Sequence, residues 1–327
     1  MKKRVILSII TAIFIVFFSG CTQRENIKGI AIFIPGVVAG SPIYEELDSG
    51  VKAAALEANI PVKTIEGGFD AATWPQQLKE LAATGAYDLI VSSNPSIPEI
   101  MQDVSKEFPT QKFLCLDGKT EGNPNIYTAQ YKQFDQAYLA GYMAGLVTLS
   151  NMPGANTDKK VGFIIAYHYP VLDNTLIPGF RAGLDAVDPE IEIDLRIVGN
   201  WWDATKAKEL TNIMINEGSD VFLSIAGSAT QGVITQCQDS RKYLIYFDTD
   251  GFEKAPGTII ASTIIKQHKL SYKLIKDFIT GELPFGKGET FSLKDGYIDF
   301  IQDSPLYIEN VPVEIRTTMA KVVDEFK

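Results

Sequence analysis

Cysteine, histidine and basic charge are all scarce in this chain, which has 327 residues, three cysteines and two histidines. So few cysteines cannot make a disulfide framework. Cys115 lies in an apolar, strand-like run at 112–116 and Cys237 follows a helix-like segment. Both are expected as buried free thiols, since a bridge requires the fold to bring them within reach. His168 and His268 stand far apart with no metal-ligand spacing around them, so no metal residue is assigned. The net charge of −10 argues against a nucleic-acid partner and against a polybasic membrane contact. The motifs of common catalysts are missing too. There is no Gly-x-Ser-x-Gly elbow and no His-Glu-x-x-His pair. The glycine-rich stretch Gly36-Val37-Val38-Ala39-Gly40 runs into Ser41-Pro42 rather than Lys-Ser, so it is not a nucleotide phosphate loop. No catalytic residue is assigned, and the chain is not expected to be an enzyme.

What is present begins with Lys2, Lys3 and Arg4, followed by an apolar run at 5–18 broken only by Ser8 and Thr11. The run is short for a permanent membrane span and has the layout of a secretory signal. Its end, Phe18-Ser19-Gly20-Cys21, resembles a bacterial lipobox, in which the chain is cut before the cysteine and the cysteine is lipidated. Residues 1–20 are therefore expected to be a signal peptide and 21–28 a tether. Roughly 307 residues would remain, enough for two modest lobes. Losing three cations takes the charge from −10 to about −13, so the Cys21 lipid alone would hold the protein to the membrane. It would face the periplasm or the cell exterior.

From residue 29 onward, apolar strand-like runs alternate with helical patterns of ten to seventeen residues, the signature of βαβ units and a mainly parallel α/β architecture. The pattern pauses at the polar stretch 151–160, which contains Pro153 and Gly154, and then restarts in the same order. Two similar lobes are expected: 29–150 with 259–285, and 158–250 with 288–327. The tail reads as a strand at 259–263, a helix at 269–280, a strand at 291–300 broken by a turn at Asp295-Gly296, and a last helix at 313–326.

In open α/β sheets, ligands bind beyond the carboxyl ends of the strands. The loops at those ends fall at 35–44, 66–74, 92–98, 117–121, 167–174, 200–203, 226–231 and 248–252. From them, Ser41, Tyr44, Asn94, Asp117, Tyr167, Trp201 and Asp248 form the expected ligand-binding set. Aromatic rings on opposing loops can hold a planar ligand, and carboxylates can accept hydrogen bonds from its hydroxyls. Strand alternation should send the adjacent rings of Trp201 and Trp202 opposite ways, with Trp201 toward the ligand and Trp202 toward the core.

Several stretches together resemble the basic membrane lipoproteins, relatives of the purine-nucleoside receptor of spirochaetes. They are Tyr138-Leu139-Ala140-Gly141-Tyr142-Met143-Ala144, Lys160-Val161-Gly162-Phe163-Ile164 and Pro178-Gly179-Phe180-Arg181-Ala182-Gly183. Further on come Gly199-Asn200-Trp201-Trp202-Asp203-Ala204-Thr205-Lys206, Glu217-Gly218-Ser219-Asp220-Val221, Phe247-Asp248-Thr249-Asp250 and Ala261-Ser262-Thr263-Ile264-Ile265-Lys266. The resemblance implies a type I periplasmic-binding-protein fold, two Rossmann-like lobes with a hinge that close on a small molecule and hand it to an ABC-importer permease. The protein would be a monomer without a bound cofactor. Trp201 falls on the family's stacking aromatic, Asp248 on its ribose-binding aspartate, Asp117 on its other aspartate and Lys266 on its lysine. The first loop departs from the nucleoside binders. Where they carry an Asp-x-Ser-Phe-Asn-type stretch, this chain has Ala39-Gly40-Ser41-Pro42-Ile43-Tyr44. That loop is closer to the riboflavin-binding branch, so riboflavin is the expected ligand and a purine nucleoside the alternative. A surface hydrolase acting on nucleosides or glycans is the rival from a different class.

Overall fold

The computed structural model describes residues 27–327. The expected signal peptide, Cys21 and all but the end of the tether lie outside them. The first α/β run comprises β1 (Ile30–Ile34), α1 (Pro42–Glu57), β2 (Val62–Glu66), α2 (Trp74–Ala83), β3 (Leu89–Ser93), α3 (Ile97–Glu107), β4 (Lys112–Leu116) and β5 (Ile126–Tyr131). The second begins with α4 (Gln133–Thr148), β6 (Lys160–Ile165), α5 (Ile177–Val187), β7 (Glu192–Ile197) and α6 (Ala204–Asn216). It continues through β8 (Val221–Ile225), α7 (Thr230–Ser240) and β9 (Tyr243–Asp248) to β10 (Ile259–Ile265). The tail adds α8 (Gln267–Thr280), β11 (Gly288–Phe291), β12 (Ile298–Phe300), α9 (Pro305–Asn310) and α10 (Val313–Glu325).

The strands form two six-stranded sheets, ordered β11-β5-β4-β3-β1-β2 and β12-β10-β9-β8-β6-β7. All pairings are parallel except β10 with β12. Helices cover both faces of such sheets, so central strands need no polar alternation. In β1, β3 and β8 every residue is buried. The two sheets share one winding order, which reverses between β1 and β3 and again between β6 and β8. These are the two switch points where ligand-binding crevices open.

Cys115 and Cys237 are free and buried, as expected, and burial pushes both thiols above their ordinary range. The lobe boundaries differ from expectation in three places. Helix α4 packs on α5 and α10 and against the second sheet, so the chain leaves the first lobe at Lys132 rather than near residue 150. Strand β10 lies in the second sheet, whereas α8 returns to pack on α1. The strand expected at 291–300 is two strands in different sheets: β11 completes the first and β12 the second. The predicted turn between them is present. Gly296 has φ +75°, and the Asp295 carboxylate accepts from the Ser292 N–H at 2.9 Å and its hydroxyl at 2.6 Å. The chain therefore crosses between lobes three times, at Lys132, at Lys266 and through 292–297.

Two of the seven stretches that carry the family resemblance form a helix contact. Helices α4 and α5 approach so closely that a Cβ on Gly183 would overlap the carbonyl oxygen of Tyr138, and one on Gly141 the carbonyl oxygen of Phe180. No side chain fits there. Gly183→Ala is expected to destabilise the protein by about 1–3 kcal/mol through overpacking, lowering Tm by roughly 5 °C. Thermal unfolding followed by circular dichroism measures it, and an unchanged Tm would mean that the helices separate without penalty.

Candidate functional site

The fourth strand of each sheet ends in an aspartate. Asp117 follows β4 and Asp248 closes β9, so the two occupy corresponding places in the two lobes. Both adopt left-handed backbone conformations, with φ +54° and +73°. Such angles are uncommon outside glycine, although aspartate tolerates them better than most residues. Both residues are partly buried. The Asp117 carboxyl is raised well above the usual carboxylate range by burial and then by the charge of Asp248. Burial pushes Asp248 to about 6, partly offset by a hydrogen bond from Gln136, with Glu46 adding like charge. Gln136 Nε2 donates to Asp248 Oδ1 at 3.1 Å and to the Thr263 carbonyl at 3.2 Å. Its own Oε1 is buried without a partner.

On the first lobe, Tyr44 stands in the first turn of α1 beside Gly36. Its hydroxyl donates to the Pro35 carbonyl at 3.3 Å, and burial raises its pKa. Asn94 sits just past β3, where its Oδ1 accepts from Ser96 N–H at 2.9 Å and shapes the turn into α3. Ser41 starts α1 through its carbonyl, which accepts from Tyr44 N–H and Glu45 N–H at 2.9 and 3.0 Å, and its hydroxyl makes no capping bond.

On the second lobe, Trp201 is half-buried. Its ring lies against Tyr169 and Tyr167 at centroid distances of 6.2 and 6.3 Å. Gly227, at φ +57°, gives it room, because a Cβ there would come within 3.3 Å of the indole. The Trp201 carbonyl accepts from Ala229 N–H and Ser228 Oγ, which ties the ring to the loop after β8. Its neighbours in sequence are scaffolding. Asn200 Oδ1 accepts from Trp202 and Asp203 N–H groups, and Asp203 caps α6 by accepting from Lys206 N–H.

The structure thus brings Tyr44, Asn94 and Asp117 to one wall and Trp201 and Asp248 to the other. Tyr167 is at the rim, 42% exposed, and Ser41 is at the edge of the first loop. Lys266 follows β10 at the same end of the sheet as Asp248, and its ammonium is paired with Asp299 at 2.6 Å in one of the crossings. Trp202 is not in the core. Strand β7 ends at Ile197, so alternation does not govern the two indoles, and Trp202 is an exposed ring packed on Phe69 of the first lobe.

Sequence reasoning missed four participants. Tyr169 is half-buried whereas Tyr167 is exposed, and the Tyr169 carbonyl accepts from Asp173 N–H at 3.0 Å in the helical turn that leads into the π-helical stretch Leu172–Leu176. Its hydroxyl is raised by burial and then by Asp248 and Asp117. The loop's three consecutive polar aromatics, 167–169, were the available signal. Glu46 accepts from His268 N–H at the start of α8 and is raised by burial. Phe69 lay in the strand-end loop 66–74, whereas Glu46 and Gln136 carried no sequence signal, because each enters through helix packing.

Aromatic faces flank a set of carboxyl and amide acceptors, and the two walls come from different lobes. Together with the shared winding order of the two sheets, that defines the type I periplasmic-binding-protein fold. A solved solute-binding protein from Aeropyrum pernix K1 superimposes with a TM-score of 0.77 at 20% identity, over 91% of this chain and 85% of that one. The family model described as ABC transporter substrate-binding protein PnrA-like matches residues 27–327, and the chain belongs to that family. Its relatives include an ABC transporter nucleoside-binding protein of Lactococcus lactis subsp. cremoris, 25% identical over 72% of this chain and 68% of that protein. Basic membrane protein A of Borreliella afzelii is 21% identical over 94% of each chain.

The raised pKa of Asp248 has a definite sign for stability. Its charged form is disfavoured in the folded state, so the ligand-free protein loses stability as pH rises from about 4 to about 6 and does not regain it above. Asp248→Asn removes that loss. The variant's Tm should exceed that of the native protein at neutral pH, by an amount that shrinks as pH falls toward about 4. Calorimetric unfolding across this range checks it, and a pH-independent difference would leave only relief of backbone strain.

Proposed function

We propose that this chain captures a nucleoside, a planar heterocycle carrying hydroxyls, between its lobes and delivers it to an ABC-importer permease. The observation that carries this reading is the facing pair Asp117 and Asp248 beside the rings of Tyr44, Tyr169 and Trp201. Ionised carboxylates accept two hydrogen bonds each, which suits neighbouring hydroxyls, while the rings offer faces to a base. The relative named as nucleoside-binding supports the choice. Riboflavin is the second reading, favoured by the first loop. Ala39 to Tyr44 there lacks both the acidic base reader and the phenyl ring of the nucleoside binders. Its three fused rings and ribityl hydroxyls ask for the same devices. The protein acts as a receptor rather than a hydrolase, and the lipobox at Cys21 anchors it to the membrane.

Titration calorimetry of inosine and of riboflavin separates the two ligands. Trp201→Ala removes a stack and the burial of an indole, together about 2–3 kcal/mol, and should weaken binding on the order of a hundredfold. Asp117→Asn keeps the shape but loses charge-assisted bonds, for about tenfold. Chromatography after incubation should return the ligand intact. If neither compound binds the stripped native protein, both ligand readings fall. Cys21→Ser should abolish incorporation of a radioactive fatty acid, and undiminished label would place the anchor elsewhere.

A further inference from the structure

Two loops in corresponding places meet on the far side of the cleft from the chain crossings. Strands β2 and β7 are the edge strands opposite β11 and β12 in the two sheets, and the loops after them carry Phe69 and Trp202. These rings are 51% and 56% exposed, yet they touch each other across the lobes, with centroids 5.6 Å apart and planes inclined by 42°. Among the described residues, this is the one aromatic pair that spans the lobes away from the crossings. Both loops are fixed by their own hydrogen bonds. Trp74 Nε1 donates to the Gly68 carbonyl at 3.0 Å, and Asp70 caps the short helical turn that follows Phe69. Trp202 N–H donates to Asn200 Oδ1 at 3.0 Å.

We propose that Phe69 and Trp202 form an aromatic clasp that closes the mouth of the cleft and sets how long a ligand stays. Each ring adjoins a ligand-facing aromatic. The edges of Phe69 and Tyr44 converge over Gly36, where a Cβ would lie 3.7 and 3.1 Å from them, and Trp202 follows Trp201 in the chain. The clasp therefore positions both walls when it forms. It is built only of the protein's own side chains, so it biases the lobes toward closure before any ligand arrives. A contact of this kind shifts the ratio of closed to open forms by about two- to tenfold. It acts through Tyr44 and Trp201 and need not touch the ligand.

The release-rate arm rests on the binding reading above, whereas the ligand-free arm does not. In small-angle scattering of the stripped, ligand-free protein, Phe69→Ala and Trp202→Ala should each increase the radius of gyration. The double variant should increase it no further, because either change alone breaks the same contact. In stopped-flow measurements, release of inosine or riboflavin should accelerate about two- to tenfold in either single variant, again with no added effect in the double. Trp202→Phe should restore both quantities in large part. Both side chains are exposed, so Tm should hold in all variants. Unchanged ligand-free scattering in the single variants overturns the clasp, and so do additive effects on release. If neither compound binds, the scattering result still decides.

Discussion

A parallel strand cannot be joined to its neighbour by a tight turn, and this constraint settles where everything else in the molecule lies. Each strand must be followed by a crossover, so every loop at the carboxyl ends emerges on one edge of its sheet. Two sheets wound in the same order supply two such edges. Three crossings, at Lys132, Lys266 and 292–297, keep those edges facing each other. The cleft is therefore a consequence of topology before it is a matter of side chains. Residues at equal positions in the two lobes are delivered to opposite walls, as Asp117 and Asp248 are by β4 and β9, and Phe69 and Trp202 by the loops after β2 and β7.

The electrostatics of that cleft run against stability. Asp117, Asp248 and Glu46 are all pushed toward their neutral forms by burial, and Gln136 adds an unpaired oxygen. Lys266, the lysine that the family resemblance assigned to the site, is occupied by Asp299. Such a surplus of acceptors is unfavourable in an empty site and favourable around a molecule rich in donors. The left-handed backbone at both aspartates has the same character, local strain kept where the ligand would sit. Binding a hydroxylated ligand would favour the ionised carboxylates and release protons below about pH 6, the value toward which Asp248 is raised.

Local pattern was enough to locate most elements. The run at 112–116 matches β4, the strand at 259–263 lies within β10, and the helices at 269–280 and 313–326 match α8 and α10. Residue type and loop position also selected Tyr44, Asp117, Trp201 and Asp248, which the fold gathers on the two walls of the cleft. The family stretches were a mixture. Gly141 and Gly183 mark a helix contact, Asn200 and Asp203 a turn and a cap, and only Trp201 and Asp248 line the cleft. Sequence cannot separate these roles, since a glycine kept for contact and an aspartate kept for a ligand leave similar traces in a chain.

The sequence alone determined the alternation of strands and helices, the doubling of the pattern and the chemical character of the strand-end loops. Those properties are written in short-range periodicity and in residue types. Tertiary structure decided which lobe owns α4, β10 and β11, because sheet membership depends on partners far away in the chain. It also half-buried Tyr169 and left Tyr167 exposed, bound Lys266 to Asp299, and set Trp202 on Phe69 instead of in the core. Each of these is a choice among neighbours supplied by another element. The energy of such a contact exists only once both elements have been placed.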